Sequence, residues 1–347
     1  MRDPSVEFKM RPTHPIGGKE HEQAGHARAG NAERVVTGAL EGGRAYALYF
    51  GAGAVLLAVY VLTNWKANGH EPLTSRSVLV TGCSSGIGRA TAERLAAAGW
   101  TVYASARQLD SLAGLEGCHP LQLDVTDDRS MRSAVDRIEQ EEGAVGVLVN
   151  NAGYSQSGAV ESVSLEDARH QFETNVFGLA RLTQLVLPGM RRQGWGRVVN
   201  VSSMGGRLTF PGGGWYHASK HAAEALSDVL RFEVQGFGID VTVIQPGLIR
   251  TSFAEAAVGS IEHDDGPYAR FNAAVGAATA GAYENALARR LGGGPETVAK
   301  AIEQAVTAKR PRTRYRVTAS AGLFLTLRRL LPDRAWDALV GRTYPKP

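Results

Sequence analysis

The chain has 347 residues, 44% hydrophobic and 21% charged, which is the composition of a globular protein of one large or two modest domains. Its formal net charge of +4 is too small to predict nucleic-acid binding. The two cysteines, Cys83 and Cys118, exclude a disulfide framework and fit a reducing compartment.

The N-terminal segment, residues 1–43, is rich in Gly, Ala, Glu, Arg and His and has no periodicity, so we expect a disordered tail. An alternative is that translation starts downstream and part of this tail is never made. Its histidines His14, His21 and His26 match no metal-site spacing and have no cysteine beside them, so we expect no metal.

An uncharged apolar run of 19 residues, Ala45 to Thr63, follows the tail. As a helix it would span about 28 Å, close to the ~30 Å thickness of a bilayer core. Tyrosine and tryptophan side chains lie toward both ends, as in an aromatic belt. We therefore expect one transmembrane helix over residues 44–65 and a linker over residues 66–76, with a buried core helix as the alternative. Basic residues flank both ends of the run, so charge leaves the orientation open.

The next motif is a strand, a glycine-rich turn and a helix. A buried strand is predicted at Ser77–Val80, the turn reads TGCSSGIG over residues 81–88, and a helix runs from Arg89 to Ala98. Glycines in this context let the backbone approach a pyrophosphate, which the helix N-terminus also attracts. The spacing G-x-x-x-G-x-G differs from the usual G-x-G-x-x-G, so the turn alone also fits an ordinary connection.

The second strand is predicted from Trp100 to Ala104, and Ala106 and Arg107 follow it. Many NAD sites carry an acidic residue at this place. Here no carboxylate would repel a phosphate, and Arg107 could bind the 2′-phosphate of NADP(H). NADP(H) is therefore expected over NAD(H), with a solvent-facing arginine as the alternative.

Strands and helices alternate along the rest of the domain. The remaining strands are predicted at Leu121–Val125, Val145–Val149, Arg197–Val201, Val241–Ile244 and Thr313–Val317. This alternation predicts an α/β fold with a doubly wound parallel sheet, which binds ligands at the carboxyl ends of its strands.

Tyr216 and Lys220 are four residues apart and share one face of a predicted helix. A nearby ammonium stabilises a phenolate, so this pair can exchange a proton with an alcohol or carbonyl. Most such pairs are surface contacts, and the pair alone is a weak signal. A capping-box-like Ser164 opens a long helix to about Leu187, and this helix contains Asn175, for which an ordinary buried amide is the alternative.

The motifs TGCSSGIG, LDVT, NNAG, VSS, YHASK and PGLIRT, together with Asn175, stand in the order and spacing of the short-chain dehydrogenases/reductases. Over about residues 75–318 the chain resembles the plain branch of this family. The resemblance implies an oxidoreductase with a catalytic tetrad of Asn175, Ser203, Tyr216 and Lys220. Ser203, thirteen residues before Tyr216, is preferred to Ser202.

Each member of the tetrad has a role implied by the resemblance. Ser203 would polarise the substrate oxygen, and Tyr216 would exchange the proton. Lys220 would support the tyrosine and bind the nicotinamide ribose, and Asn175 would hold a water. The expected cofactor contacts are Thr81, Gly82, Ser84, Ser85, Gly86, Ile87, Gly88, Arg107, Asp124, Val125, Asn151, Ala152, Gly153, Tyr216, Lys220, Pro246, Gly247, Ile249 and Thr251.

The resemblance also divides the C-terminal half. The Rossmann domain is expected over residues 77–318, with a substrate lid at about 251–290 and an amphipathic extension over 319–347 that Pro332 must break. This extension is expected either to lie on a membrane surface over the substrate mouth, or to pack on the core or in a dimer contact. The basic residues expected to face anionic lipid are Lys309, Arg310, Arg312, Arg314 and Arg316.

The leading expectation is a single-pass membrane enzyme that uses NADP(H) on a lipophilic alcohol, ketone or aldehyde, resembling steroids, retinoids or acyl chains. Its catalytic domain is expected in the cytosol, where the cofactor is made, and a homodimer is compatible with the sequence. The alternatives are a non-catalytic NADP(H)-binding membrane scaffold and an NAD-dependent dehydrogenase of the same fold. An epimerase or dehydratase of the extended branch is disfavoured by the glycine spacing.

Overall fold

The computed structural model describes residues 75–261, 266–281 and 290–344. The predicted tail, the transmembrane helix and all of the linker before Ser75 lie outside these residues. No helix in the described ranges is long and apolar enough to cross a membrane.

In the described part of the chain, seven parallel strands form one sheet in the order β3-β2-β1-β4-β5-β6-β7. The bounds are β1 Ser77–Val80, β2 Thr101–Ala106, β3 Cys118–Gln122, β4 Val147–Asn150, β5 Gly196–Val201, β6 Ile239–Pro246 and β7 Arg314–Val317. The predicted α/β fold with a doubly wound parallel sheet is confirmed. The strand order reverses between β1 and β4, and such a reversal leaves a crevice at the carboxyl edge of the sheet.

The helices cover both faces of the sheet. Their bounds are α1 Gly86–Ala97, α2 Asp128–Glu142, α3 Leu165–Phe172, α4 Leu179–Gln193, α5 Gly214–Val234, α6 Phe253–Gly259, α7 Ala269–Gly281, α8 Pro295–Thr307, α9 Ala319–Leu330 and α10 Asp333–Val340. Short 3₁₀ segments lie at Leu109–Leu112, Met204–Gly206 and Gln235–Phe237, and a π-helical segment at Glu173–Gly178 joins α3 to α4.

Successive residues of a strand pack into two separate hydrophobic cores, one on each face of the sheet. Val78 and Val80 of β1 point to the face covered by α1 and α8, whereas Leu79 points to the face covered by α2 and α4. Successive side chains of a strand point to opposite faces, so a strand buried on both faces reads as a continuous apolar run. This explains why the strands of the sheet centre could be found from the sequence.

The third strand departs from the sequence prediction. It runs from Cys118 to Gln122 and not from Leu121 to Val125. Because β3 is an edge strand, it tolerates Pro120, which lacks a backbone N–H, and it leaves three of its five residues exposed. The apolar residue Leu123 that suggested a later strand is buried in the loop beyond β3.

The C-terminal extension forms two helices, α9 and α10, separated at Pro332 as predicted. Leu325 and Trp336 are buried against Leu208, which lies in the loop after β5. The apolar face of this extension therefore packs on the core, which was the alternative to a membrane-surface helix.

One basic residue was assigned wrongly to a lipid-facing surface. Arg314 points inward and forms ion pairs with Glu224 and Asp228 at 2.9 and 2.6 Å. Lipid contact by Lys309, Arg310, Arg312 and Arg316 stays a prediction.

Candidate active site

A cavity of about 1340 Å³ opens at the carboxyl edge of the sheet. It is lined by the glycine-rich turn, the loops after β2, β4, β5 and β6, the start of α5, part of the lid region and the C-terminal helices. Most of the predicted site residues line it. Thr81, Gly88 and Asn175 do not, and all three are buried behind the cavity wall.

Tyr216 and Lys220 lie on α5, and Lys220 Nζ is 5.9 Å from the centroid of the Tyr216 ring. Lys220 is only 5% exposed, and its Nζ donates a hydrogen bond of 2.9 Å to the carbonyl oxygen of Val201. Burial lowers the pKa of Lys220 to about 8, an effect that the negative charge of Glu224 partly opposes. The lysine is therefore still mostly an ammonium at neutral pH, next to the tyrosine.

Asn175 lies in the π-helical segment and not in a regular helix as the sequence suggested. Its Oδ1 accepts from Tyr154 N at 3.1 Å, and its Nδ2 donates to Tyr154 O at 2.9 Å and to Ser219 Oγ at 3.0 Å. A Cβ on Gly153 would lie 2.9 Å from Asn175 Oδ1 and 3.5 Å from Lys220 Nζ. Only glycine leaves room for the amide and the ammonium to approach each other here.

The two candidate serines follow β5 but differ in their surroundings. Ser203 is partly exposed, and its Oγ accepts from Gly205 N at 3.0 Å, which leaves the hydroxyl proton free to donate toward the cavity. Ser202 is buried, and its Oγ has no hydrogen-bond partner among the described residues. A Cβ on Gly206 would lie 2.5 Å from Ser202 Oγ, so this hydroxyl lies against a buried glycine, although Ser202 also lines the cavity.

His217 is a cavity residue that the sequence analysis did not single out. Its Nδ1 donates to Gly205 O at 3.1 Å, and its ring contacts the rings of Tyr216 and Phe210. Burial lowers the pKa of His217 to about 4, so the imidazole is neutral at neutral pH. The only sequence signal was its place beside Tyr216.

The glycine-rich turn is shaped to approach a dinucleotide. A Cβ on Gly88 would lie 2.1 Å from Gly82 O, so only glycine permits this close turn before α1. No side chain caps the first amides of α1, which leaves these N–H groups for a pyrophosphate. Thr81 Oγ1 accepts from Asn151 N and Ala152 N, both at 2.9 Å, and so joins this turn to the loop after β4.

The part of the cavity next to the end of β2 has the predicted charge pattern. Ala106 is buried at the end of β2, and Arg107 is exposed and lines the cavity. Asp124 Oδ1 accepts from Thr126 N and Thr126 Oγ1 at 2.9 and 2.7 Å, which fixes the loop after β3. The end of β2 therefore has no carboxylate, and the guanidinium of Arg107 lies at the cavity.

The opposite wall of the cavity is apolar and comes largely from the C-terminal helices. The Phe210 ring lies 5.8 Å from that of Phe324 and 5.9 Å from that of Trp336. Leu327 and Leu339 extend the same wall. The sequence predicted an amphipathic membrane-surface helix over the substrate mouth. In the structure α9 and α10 line the cavity, and their contact with a membrane stays a prediction.

The lid region is joined to the loop after β4 by hydrogen bonds. Asn272 Oδ1 on α7 accepts from Ala159 N at 3.0 Å, and Gln156 Nε2 donates to Ser260 O at 2.9 Å. The described parts of this region also line the cavity. Residues 262–265 and 282–289 of this region lie outside the described residues.

Residues 76–260 match the family model described as short chain dehydrogenase. The chain is 36% identical over 276 residues to an NADPH-dependent 3-dehydrocapnine reductase of Ornithobacterium rhinotracheale, covering 76% of this chain and 95% of that protein. It is 32% identical over 312 residues to 17-beta-hydroxysteroid dehydrogenase type 6 of Bos taurus, covering 85% and 97%. A crystal structure of a short-chain dehydrogenase from Streptomyces avermitilis superposes with a TM-score of 0.63 at 36% identity, covering 77% and 98%.

Proposed function

The chain belongs to the short-chain dehydrogenase/reductase family and is an oxidoreductase acting on CH–OH groups. From this we propose that it interconverts an alcohol and a ketone or aldehyde on a lipophilic molecule with NADP(H). The observation that carries the proposal is the buried ammonium of Lys220 beside the ring of Tyr216, on one helix and at the edge of one cavity.

The side chains of the candidate active site would have the following roles. Ser203 donates a hydrogen bond to the substrate oxygen and polarises it. Tyr216 gives a proton to that oxygen in reduction and takes it back in oxidation. Lys220 stabilises the phenolate form of the tyrosine and binds the nicotinamide ribose. When bound, the cofactor supplies or accepts the hydride at the carbinol carbon.

Asn175 would support a water beside Lys220. Both N–H groups of its amide are already used, by Tyr154 O and Ser219 Oγ. A water would therefore use the second lone pair of Oδ1. This oxygen and Lys220 Nζ both lie close to Gly153, where a Cβ would be 2.9 Å from the oxygen and 3.5 Å from the nitrogen. Such a water would let the lysine exchange protons with solvent.

We assign NADP(H) on the charge at the end of β2. A carboxylate would repel a 2′-phosphate, and Ala106 carries none, whereas Arg107 offers a guanidinium. The name of the Ornithobacterium relative, an NADPH-dependent reductase, points the same way. NAD(H) is the alternative.

The lipophilic substrate is supported by the apolar wall of the cavity. Phe210, Phe324 and Trp336 form an aromatic cluster there, and pockets of this character bind apolar molecules with a few polar groups for orientation. The printed names of relatives include a 3-ketodihydrosphingosine reductase and a hydroxysteroid dehydrogenase. We propose a substrate with a large apolar body and one reacting oxygen.

The membrane anchor is proposed from sequence alone. The run Ala45–Thr63 has no charge and the length of a bilayer core, and helices satisfy their own backbone hydrogen bonds in lipid. Because NADP(H) is made in the cytosol, the catalytic domain would lie on the cytosolic side. A homodimer stays a prediction.

The test is a screen of lipophilic alcohols and ketones with the full chain, following NADPH absorbance at neutral pH. The proposal expects turnover of at least one such compound in the wild type and none in Tyr216→Phe. Turnover confined to small hydrophilic alcohols would contradict the lipophilic assignment. Equal loss of cofactor binding and turnover in Tyr216→Phe would contradict the assignment of the tyrosine as acid and base.

A further inference from the structure

Glu224 lies on α5 one turn beyond Lys220 and is 2% exposed. Its Oε1 accepts a hydrogen bond from Gln245 Nε2 at 2.7 Å. Its Oε2 accepts from Arg207 Nε at 3.1 Å and from Arg314 Nε at 2.9 Å. Both oxygens of a carboxylate buried directly behind the candidate active site are therefore bonded.

Each partner of Glu224 belongs to a segment that carries a predicted site residue or borders one. Arg207 ends the short helix that begins after Ser203, and Gln245 directly precedes Pro246 on β6. Arg314 begins β7, the neighbour of β6. One side chain thus joins the serine loop, the helix of Tyr216 and Lys220, and the edge of the cofactor site.

The carboxylate also acts on Lys220 electrostatically. Burial disfavours the ammonium of Lys220, and the charge of Glu224 favours it. Other charges surround the pair: Arg207 from the serine loop, Arg314 from β7, and Asp228 and Arg231 farther along α5. His217 is neutral in the pH range at which Lys220 titrates.

The two arginines are shared between two carboxylates. Arg207 and Arg314 also bind Asp228 Oδ2, at 3.2 and 2.6 Å. Asp228 lies one further turn from Lys220, about 6 Å farther along the helix axis. It therefore takes part in the same ion-pair cluster without being the carboxylate next to the lysine.

We propose that Glu224 is a positioning residue of the reaction, which fixes the serine loop to the catalytic helix and holds a negative charge behind the ammonium of Lys220. This rests on the proposed role of Lys220. The ammonium form of Lys220 is needed to bind the nicotinamide ribose and to stabilise the phenolate, so both functions are lost when Lys220 is deprotonated. Without the charge of Glu224, this deprotonation occurs at a lower pH. A purely structural role would weaken both properties without moving that pH.

The test compares Glu224→Gln with Asp228→Asn in the full chain. The first variant removes the charge next to Lys220 at nearly constant shape, and the second removes a charge from the same arginine cluster one turn away. NADPH binding is titrated by fluorescence from pH 6 to 10, and kcat is followed over the same range with a substrate of the wild type. NADH replaces NADPH if the wild type binds only NADH.

In Glu224→Gln we expect the alkaline loss of binding and of kcat to move down by about one pH unit. In Asp228→Asn we expect at most a third of that shift. Equal alkaline limits in the wild type and Glu224→Gln would overturn the inference, as would equal shifts in the two variants.

A second variant decides the matter if Glu224→Gln does not fold. Arg207 is 43% exposed, so Arg207→Met leaves the core intact while it removes a positive charge from Glu224. The inference requires its alkaline limit to move up, opposite to Glu224→Gln, and a downward or absent shift overturns it. A wild type that binds neither cofactor contradicts the proposed function instead, so the two failures are distinct.

Discussion

The side-chain amide of Asn175 donates a hydrogen bond of 3.0 Å to Ser219 Oγ, and Ser219 stands between Tyr216 and Lys220 on α5. Ser219 Oγ in turn donates to the carbonyl oxygen of Tyr216 at 2.7 Å. A turn of π-helix in one element is thereby bonded to the helix that carries the acid–base pair. π-Helical turns are often retained at functional sites, because they re-aim side chains that a regular helix would point elsewhere.

Tyr216→Phe should abolish turnover while the fold and cofactor binding are kept. The change removes only the hydroxyl that exchanges the proton, and the ring keeps its contacts with His217 and Phe253. Steady-state kinetics, with NADPH binding as the control, measure the effect. Retention of more than a few per cent of kcat would mean that another group transfers the proton.

Ser203→Ala should lower kcat/KM by about 10²–10³, equivalent to about 2.7–4 kcal/mol, the effect of removing one donor to a developing oxyanion. The matched variant is Ser202→Ala, because the hydroxyl of Ser202 lies against the buried Gly206. The loss should be clearly smaller in this second variant. The reverse order of effects would identify Ser202 as the substrate-binding serine.

The pair Ala106→Asp with Arg107→Leu should reverse the cofactor preference. It introduces a carboxylate for a ribose hydroxyl and removes a charge-assisted contact worth about 1.5–3 kcal/mol, or tenfold to a hundredfold in affinity. Titration of the wild type and the double variant with NADPH and NADH measures it. Tighter or equal NADH binding by the wild type would rule out the assignment to NADP(H).

His217 should make the protein less stable in acid. Its pKa in the folded state, about 4, lies below the ordinary value of 6.5, so between these pH values the unfolded chain binds a proton that the folded protein does not. The free energy of unfolding should therefore fall as the pH drops from about 6.5, by up to roughly 3 kcal/mol near pH 4.

The matched variant for this effect is His217→Gln, which can still donate to Gly205 O and does not titrate. Urea unfolding at pH 7 and at pH 4.5 should show a smaller decrease for the variant than for the wild type. The same decrease in both proteins would show that acid sensitivity arises at other groups.

Deletion of residues 1–66 should release a folded, soluble protein that still binds NADPH. The residues from Ser75 onward contain the whole described sheet and its two cores, so they need no helix from the deleted segment. The full chain should sediment with membranes because its uncharged apolar run would expose a large apolar surface in water. Full-length protein in the soluble fraction, or loss of folding on truncation, would contradict the prediction.

The orientation of the anchor needs a separate measurement. Protease treatment of sealed vesicles should leave the segment before Ala45 protected if the catalytic domain is cytosolic. Cleavage of that segment from the cytosolic side would reverse the assigned topology.

The sequence by itself determined the parallel sheet and the place of the acid–base pair. Strands buried on both faces, such as Ser77–Val80, read as unbroken apolar runs, and the four-residue spacing of Tyr216 and Lys220 fixes their shared helix face. It misplaced β3 because only one of the five side chains of this edge strand is buried, so the strand carries no such run.

Only the tertiary structure decided what surrounds the pair. The burial of Lys220, the inward turn of Arg314 to Glu224, and the contact of Trp336 with Phe210 each join segments far apart in the chain. Local sequence patterns show which face of a helix or strand is apolar, but not which side chains from distant segments pack against it. The charge state of Lys220 and the shape of the apolar wall of the cavity depend on these tertiary contacts, so they could not be obtained from the sequence alone.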